Sequence, residues 1–198
     1  MPLVAPPQPL TTPRLALRLV QAEDLPALMA VNGDEAVTRF LPYATWQTLD
    51  DAQAWLTRME AAQATGTALQ FVITQRTDGL AIGSALLFRH DEGAARAELG
   101  YVLGRAHWGK GVMHEALHAL LQHAFHGAGL RRIEAEVNPA NVGSMRVLQA
   151  LGFMQEGLLR QRWVGKDGQP YDIAYFGLLR EEAAPALQPP SDSDSATR

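Results

Sequence analysis

Apolar residues along this chain switch between a spacing of two and a spacing of three to four, and each switch marks a change of element. Arg14 to Leu19 alternates as a first strand. Ala22 to Val31 then reads as a helix opened by Glu23 and Asp24, whose charge suits a helix N-terminus. Thr48-Leu49-Asp50-Asp51 has the form of a capping box before a helix that carries Ala52, Trp55, Leu56 and Met59 on one side. Leu69 to Thr74 and Ala81 to Phe88 flank Thr77-Asp78-Gly79, a hairpin signal. Ala97 to Leu103 is the next strand, and Val112 to His126 is an amphipathic helix with Val112, Met113, Ala116, Leu117, Leu120, Leu121, Ala124 and Phe125 at core spacing. Ile133, Ala135 and Val137 alternate against Glu134 and Glu136. Asn141 can cap a short helix ending at Gly152. Two last strands, Arg160 to Val164 and Ile173 to Leu178, join through Lys166-Asp167-Gly168. This order predicts an α+β fold with a mixed sheet.

Composition narrows the setting. A chain of 198 residues with 47% hydrophobic content can bury a substantial core, and only its ends look unable to join one. Met1 to Thr11 is proline-rich and reads as a flexible tail. Ala183 to Arg198, with its prolines and Ser/Asp run, reads as a disordered one, leaving a single domain over 12–182. A net charge of -4 speaks against nonspecific nucleic-acid binding. Cysteine is absent, which removes disulfides, thiolate zinc sites and a cysteine nucleophile, and fits a reducing compartment. No basic region leads into an apolar run at the start, and no stretch approaches membrane-spanning length, so a cytoplasmic protein is expected.

The most informative segment is Glu98 to Met113, which reads as a strand, a glycine turn and the first turn of a helix. Gly109 and Gly111 let the backbone curl so that several N–H groups face one point, and the following helix adds its positive end. A phosphate belongs there, and three chemistries compete for it. Gly104-x-x-x-x-Gly109-Lys110 matches the opening of a P-loop, but Gly111 stands where Ser or Thr must hold magnesium. His114-Glu115-Ala116-Leu117-His118 is a literal H-E-x-x-H, with two imidazoles on one helix face and Glu115 as the base of a zinc peptidase. That reading needs a third ligand, and nothing marks Glu134 or Glu136 as facing this helix. Two surface histidines beside an ordinary apolar stripe explain the same letters.

The third chemistry is a diphosphate held without metal. Trp108 to Leu117, together with Asn138-Pro139-Ala140-Asn141-Val142-Gly143-Ser144-Met145-Arg146-Val147-Leu148-Gln149-Ala150-Leu151-Gly152-Phe153 and the opening Thr12-Pro13-Arg14-Leu15-Ala16-Leu17-Arg18, resembles the GNAT superfamily of acetyl-CoA-dependent N-acetyltransferases. Within it the chain is similar to the RimJ/RimL-type, ribosomal-protein-alanine acetyltransferase group, over about Thr12 to Arg180. The resemblance implies a mostly antiparallel mixed sheet splayed at its central strands, with helices on both faces. It also implies acetyl-CoA as cosubstrate, no metal, an amine acceptor and direct transfer without a covalent enzyme intermediate. It admits a homodimer.

Carried over residue by residue, the resemblance assigns the diphosphate to backbone N–H groups of Trp108, Gly109, Lys110, Gly111, Val112 and Met113, with Lys110 as a supplementary charge. Where relatives usually begin this motif with a polar residue, the chain has Ala106. Tyr101, Val102 and Leu103 are expected to offer main-chain groups to the pantetheine arm, with one N–H near Val102 stabilising the oxyanion. Asn138 and Asn141 are expected beside that arm, or simply as turn and cap residues. Glu98 is the expected base, since an N-terminal amine of pKa ~8 or a lysine of ~10.4 is largely protonated at neutral pH. Ser144 is expected to give a proton or hydrogen bond to the leaving thiolate, with Tyr171 as an alternative. Acceptor selectivity is expected from Asn32, Glu35, Phe40 and Tyr43, within Val31 to Trp46, and from Trp163 and Asp172 in the last hairpin. A protein N-terminus and a small-molecule amine both fit, and a non-catalytic acyl-CoA sensor needs only the phosphate turn.

Overall fold

The computed structural model describes residues 2–186 and shows an eight-stranded sheet in the order β1-β2-β3-β4-β5-β6-β8-β7. The strands are β1 (Leu10–Thr11), β2 (Leu15–Leu19), β3 (Leu69–Gln75), β4 (Ala81–Asp91), β5 (Arg96–Leu103), β6 (Arg132–Val137), β7 (Met154–Val164) and β8 (Pro170–Leu179). Every pairing is antiparallel except β5 with β6, where the crossover through helix α4 (Val112–Gln122) makes the strands parallel. That one parallel contact is short. It covers Arg96 to Glu98 against Arg132 to Glu134, and beyond it β5 continues with β4 alone while β6 continues with β8 alone. The two central strands diverge there, and a cavity lies in the gap.

Helices cover both faces, as the sequence predicts. On one face α4 buries Val112, Met113, Ala116, Leu117, Leu120 and Leu121 against Leu15, Leu17, Phe71, Ala97, Leu99, Ile133 and Ala135. At ~1.5–3 kcal/mol for each fully buried large apolar side chain, this stripe alone outweighs any polar contact the helix makes. Helix α5 (Val142–Ala150) joins the same core through Leu148. On the other face α1 (Leu25–Asn32) and α3 (Leu49–Ala64) pack Leu28, Trp55 and Leu56 over Val72 and Ala81, and the short α2 (Glu35–Thr38) follows α1. Thr48 and Asp51 form the capping box that starts α3. α4 ends in a wider turn at residues 123–127, within one residue of its predicted end.

Two expectations about the ends need correction. The supposed N-terminal tail is docked: Leu3 is buried in the main core, its N–H donates to the Gly66 carbonyl, and Leu10–Thr11 pairs with β2. The prolines masked two apolar anchors, Leu3 and Leu10. At the other end, Ala183 is buried and lies in helix α6 (Arg180–Ala186), so the domain runs past 182; residues 187–198 of the expected disordered tail lie outside the described residues. The last hairpin is longer than the alternation suggested. β7 is an edge strand exposed along most of its length, so burial wrote no clear period into Met154 to Leu159.

Candidate active site

A cavity of about 360 Å³ opens where β5 and β6 part, and its walls come from both faces of the sheet. Strand alternation explains this. Ala97, Leu99 and Leu103 belong to the α4-side core, with Tyr101 packed against it, so Glu98, Gly100 and Val102 face the other way. Through the gap both sets reach one space. Tyr101, Asn138, Asn141 and Ser144 line its α5 side, while Glu98, Glu136, Phe88, Phe40, Tyr43, Trp55, Arg58 and Trp163 line the opposite side.

On the α5 side, Asn141 accepts the Ser144 N–H at 3.2 Å as the helix cap, and Asn138 accepts the Ala140 N–H at 2.9 Å in a turn. Both expected local roles are present, and both side chains also line the cavity. Ser144 Oγ lies 2.7 Å from the Tyr101 hydroxyl. Burial pushes the Tyr101 phenol up to about 12, against a smaller opposing effect of Ser144, so it stays a hydrogen-bond donor throughout the neutral range. The sequence nominated Tyr101 for its main chain; its side chain was missed, because only the splay shows that it crosses to α5.

Main-chain directions also refine the expectation for the arm. The Gly104 N–H donates to Ile82 O, and in the register of β4 with β5, Ser84 opposes Val102 two residues further on. Antiparallel pairs alternate, so the N–H of Val102 points at β4 and cannot serve as the oxyanion donor; the N–H of Tyr101 faces the splay instead. Val102 contributes its side chain to the lining. The Leu103 carbonyl is already taken, accepting from the Trp108 indole at 2.7 Å. Trp108 thus locks the end of β5 to the turn, although its ring is 46% exposed.

The turn itself has the geometry its glycines require. Gly109 and Gly111 adopt φ of 69° and 70°, left-handed values that side chains disfavour, and a Cβ at Gly109 would meet nothing within 4 Å. Gly111 is the N-cap of α4, which leaves the N–H groups of Val112 and Met113 at a helix start without intrahelical acceptors. Lys110 is exposed. These residues lie outside the cavity lining, at the entry to α4. From behind, Arg14 donates to Lys110 O at 3.0 Å and pairs with Glu115. Glu115 also accepts from the Thr12 hydroxyl at 2.6 Å and the Arg14 N–H at 3.0 Å. Burial pushes Glu115 up, but these hydrogen bonds outweigh it and hold the carboxyl below its usual range. The glutamate of H-E-x-x-H is therefore a brace between the β1–β2 connection and the glycine turn, and is not available as a hydrolytic base.

On the opposite side, Glu98 is buried and its pKa is raised, first by desolvation; Arg89 opposes this, and Glu136 and Glu134 add to it. Arg89 Nη1 lies 2.7 Å from Glu98 Oε2 and 3.7 Å from Glu136 Oε1. Glu136 in turn accepts from the Trp163 indole at 2.7 Å and pairs with Arg162 at 3.1 Å. Sequence reading noted Glu136 as a polar strand position and as an unsupported third zinc ligand, and missed Arg89. Their one signal is the alternation that puts Glu98, Glu134 and Glu136 on the same face.

The expected acceptor residues divide. Phe40, Tyr43 and Trp163 line the cavity, and Asn32 lies buried behind Tyr43, accepting its hydroxyl at 2.8 Å. Burial also pushes the Tyr43 phenol up. Glu35 is exposed away from the lining. Tyr171 and Asp172 are not brought to the cavity: Tyr171 donates to Asp167 at 2.6 Å in its own hairpin, and Asp172 accepts the Gln161 N–H at 2.8 Å beside a bulge. Tyr171 is thereby lost as an alternative acid. Lys166 Nζ, reaching the Thr38 carbonyl at 2.7 Å, ties this hairpin to α2 and holds Trp163 near Phe40 and Tyr43.

A splayed β5–β6 pair, a glycine turn opening the crossover helix and a cavity passing between the strands define an acyl-CoA-dependent acyltransferase. The family model described as an acetyltransferase (GNAT) domain matches residues 14–154, and the chain belongs to that family. Within it the RimJ/RimL-like group is the one it joins. The chain is 36% identical over 176 residues to the uncharacterised N-acetyltransferase p20 of Bacillus licheniformis, covering 88% of this chain and 98% of that one. It is 30% identical over 185 residues to the [ribosomal protein uS5]-alanine N-acetyltransferase of Escherichia coli, covering 89% and 93%. Among solved structures, RimJ of Mycobacterium smegmatis in complex with CoA-disulfide superposes with a TM-score of 0.79 at 28% identity, covering 87% of each chain. The protein is an N-acetyltransferase enzyme that uses acetyl-CoA.

Proposed function

We propose that the enzyme acetylates the α-amine of a polypeptide N-terminus, by direct attack on acetyl-CoA bound in the splay. One observation carries the catalytic part: the parting of β5 and β6 puts a buried carboxylate, Glu98, and a Tyr101–Ser144 hydroxyl pair on opposite walls of one cavity. A sensor that only binds acyl-CoA has no use for a desolvated carboxylate facing the acyl end. The name of the uS5-alanine acetyltransferase, a relative across most of this chain, supports a protein acceptor over a small molecule. A cytoplasmic site of action belongs to the same reading and is supported by a chain without cysteine.

In this reading the backbone at 108–113 takes the diphosphate, and Asn138 and Asn141 flank the arm. The substrate ammonium gives one proton to Glu98, directly or through water. The freed lone pair forms the C–N bond at the acetyl carbonyl while the Tyr101 N–H steadies the oxyanion. The C–S bond then breaks, the electron pair leaves on sulfur, and the nitrogen sheds its second proton to solvent as the amide forms. Ser144, backed by Tyr101, donates a hydrogen bond to that thiolate. With the Tyr101 phenol near 12 and a free thiol near ~8.5, the pair stabilises the thiolate without surrendering a proton to it, and solvent completes the thiol.

The test is thiol release from acetyl-CoA with an amine panel: peptides with free N-terminal Ala or Ser, the same peptides N-blocked but carrying lysine, and a polyamine. Release with the free N-termini is expected. Release confined to the polyamine would overturn the acceptor, and CoA binding without release on any amine would leave the sensor.

A further inference from the structure

Among the described residues Arg89 is the one cation that bridges the two carboxylates lining the acceptor wall, and its backbone is in an unusual state. It sits where the β4–β5 register shifts after Phe88, with φ of 50°, a left-handed value for a residue with a side chain. From that bulge its guanidinium reaches Glu98 at 2.7 Å and Glu136 at 3.7 Å, yet its side chain is 57% exposed while theirs are 10% and 2%. Two acids are thus buried, and the cation between them belongs to a side chain that is more than half exposed. An ammonium that approaches Glu98 Oε2 from the cavity competes with the guanidinium already there, because two adjacent cations repel.

We propose that Glu98 and Glu136 form the cation subsite for the acceptor's ammonium group, and that Arg89 occupies this subsite until the amine displaces it. The proposal rests on the acetyl-transfer reading above and adds the selectivity element: the site accepts a single positive charge in the space of a guanidinium nitrogen. Glu136 keeps its orientation throughout, because Trp163 and Arg162 hold it independently of Arg89. The charged or titratable groups facing Glu98 are Arg89 from β4, Glu134 and Glu136 from β6 and Arg162 from β7, with Arg58 of α3 in the same lining. Of these cations only Arg89 bonds Glu98, so its departure restores the full effect of burial on the base.

The test uses Arg89→Gln, with acetyl-CoA saturating, an N-terminal-alanine peptide as acceptor and kcat/KM followed against pH. The expected results are a fall of about three- to tenfold in the peptide KM and a shift of the acidic limb to higher pH. Methylguanidine is expected to compete with the peptide more strongly in the variant than in the wild type, because the vacated place now accepts it. A KM that rises would make Arg89 a substrate ligand and overturn the proposal. Unchanged KM and pH limb with a lower melting temperature would make it a structural ion pair, and would overturn it equally. Should the wild type release no thiol with any amine, the acetyl-transfer reading itself fails, and that outcome is separate from either of these.

Discussion

In the proposed reading the phosphate turn and the acceptor wall serve one reaction but are built in opposite ways. The turn is a run of neighbours, Trp108 to Met113, whose function resides in main-chain groups and in two glycines with left-handed φ. The acceptor wall is assembled from side chains on four strands: Arg89 on β4, Glu98 on β5, Glu136 on β6, and Arg162 and Trp163 on β7. A backbone site tolerates exchange of its side chains and fails when a Cβ appears where φ is positive. A side-chain site fails when the carboxylate that does its chemistry is removed, because no neighbouring group supplies that chemistry.

The sharpest way to break this contrast is at Glu98. Glu98→Gln keeps the volume and removes the base, and kcat/KM is expected to fall about 10²- to 10³-fold. With Glu98 as the base only its carboxylate form is active, so wild-type activity is expected to be lost as pH falls through the raised pKa of Glu98, above the ordinary ~4.3 of a glutamate. The variant is expected to lack that limb. Wild-type and variant profiles of thiol release against pH check both statements; a variant that keeps the same acidic limb shows that another group is the base.

A smaller loss is expected on the facing wall. Tyr101→Phe and Ser144→Ala each remove one end of the 2.7 Å hydroxyl pair. A hydrogen bond to a charged group contributes ~1.5–3 kcal/mol, so kcat is expected to fall about 10- to 10²-fold. The double variant is expected to lose little beyond the worse single one, because the two hydroxyls act on the same sulfur. Additive losses in the double-mutant cycle mean that they work separately.

How much of this was legible in the sequence follows the same division. Alternation and 3–4 spacing located every long helix and most strands, since burial on one face writes its period directly into the letters. The glycine turn at the start of α4 was legible because its residues adjoin. Glu98 was legible only through resemblance, and Arg89 and Glu136 were not, because their proximity depends on register between strands. The same limit explains Tyr171 and Asp172: a Tyr-Asp pair reads alike whether the hairpin points it at the cavity or, as here, at Asp167 and a bulge. Leu3 was hidden by composition, since one apolar anchor among prolines carries no period.

The turn supplies the next test. In Gly111→Ala the new Cβ meets nothing closer than Arg14 Nη2 at 3.7 Å, so the change adds no clash and isolates the conformational cost. That cost is ~1–2 kcal/mol for a left-handed residue with a side chain, and the acetyl-CoA KM is expected to rise about five- to tenfold at nearly constant kcat. Lys110→Ala is expected to raise it less, about twofold, because Lys110 is exposed and the diphosphate is held mainly by main chain. If the lysine variant is the worse of the two, the site is built from charge and the contrast with the acceptor wall disappears.

The smallest expected effect falls on the brace behind the turn, and it also decides what the H-E-x-x-H letters mean. Glu115→Gln keeps an acceptor for the Thr12 hydroxyl but weakens the pair with Arg14, the residue that donates to Lys110 O. The Arg14 side chain is 51% exposed, so the lost pair is worth at most ~1 kcal/mol, and the acetyl-CoA KM is expected to rise about two- to threefold. Because the folded state holds the Glu115 carboxyl below its usual range, its stabilising contribution is present above the unfolded pKa and is lost as pH falls through the lowered folded value. The gap between wild type and variant should therefore close on acidification, and also in molar salt, which screens an exposed pair. Glu115→Gln with unchanged acetyl-CoA affinity at neutral pH and low salt would disconnect β2 from the phosphate turn, and the brace would then be a local contact that serves only the fold.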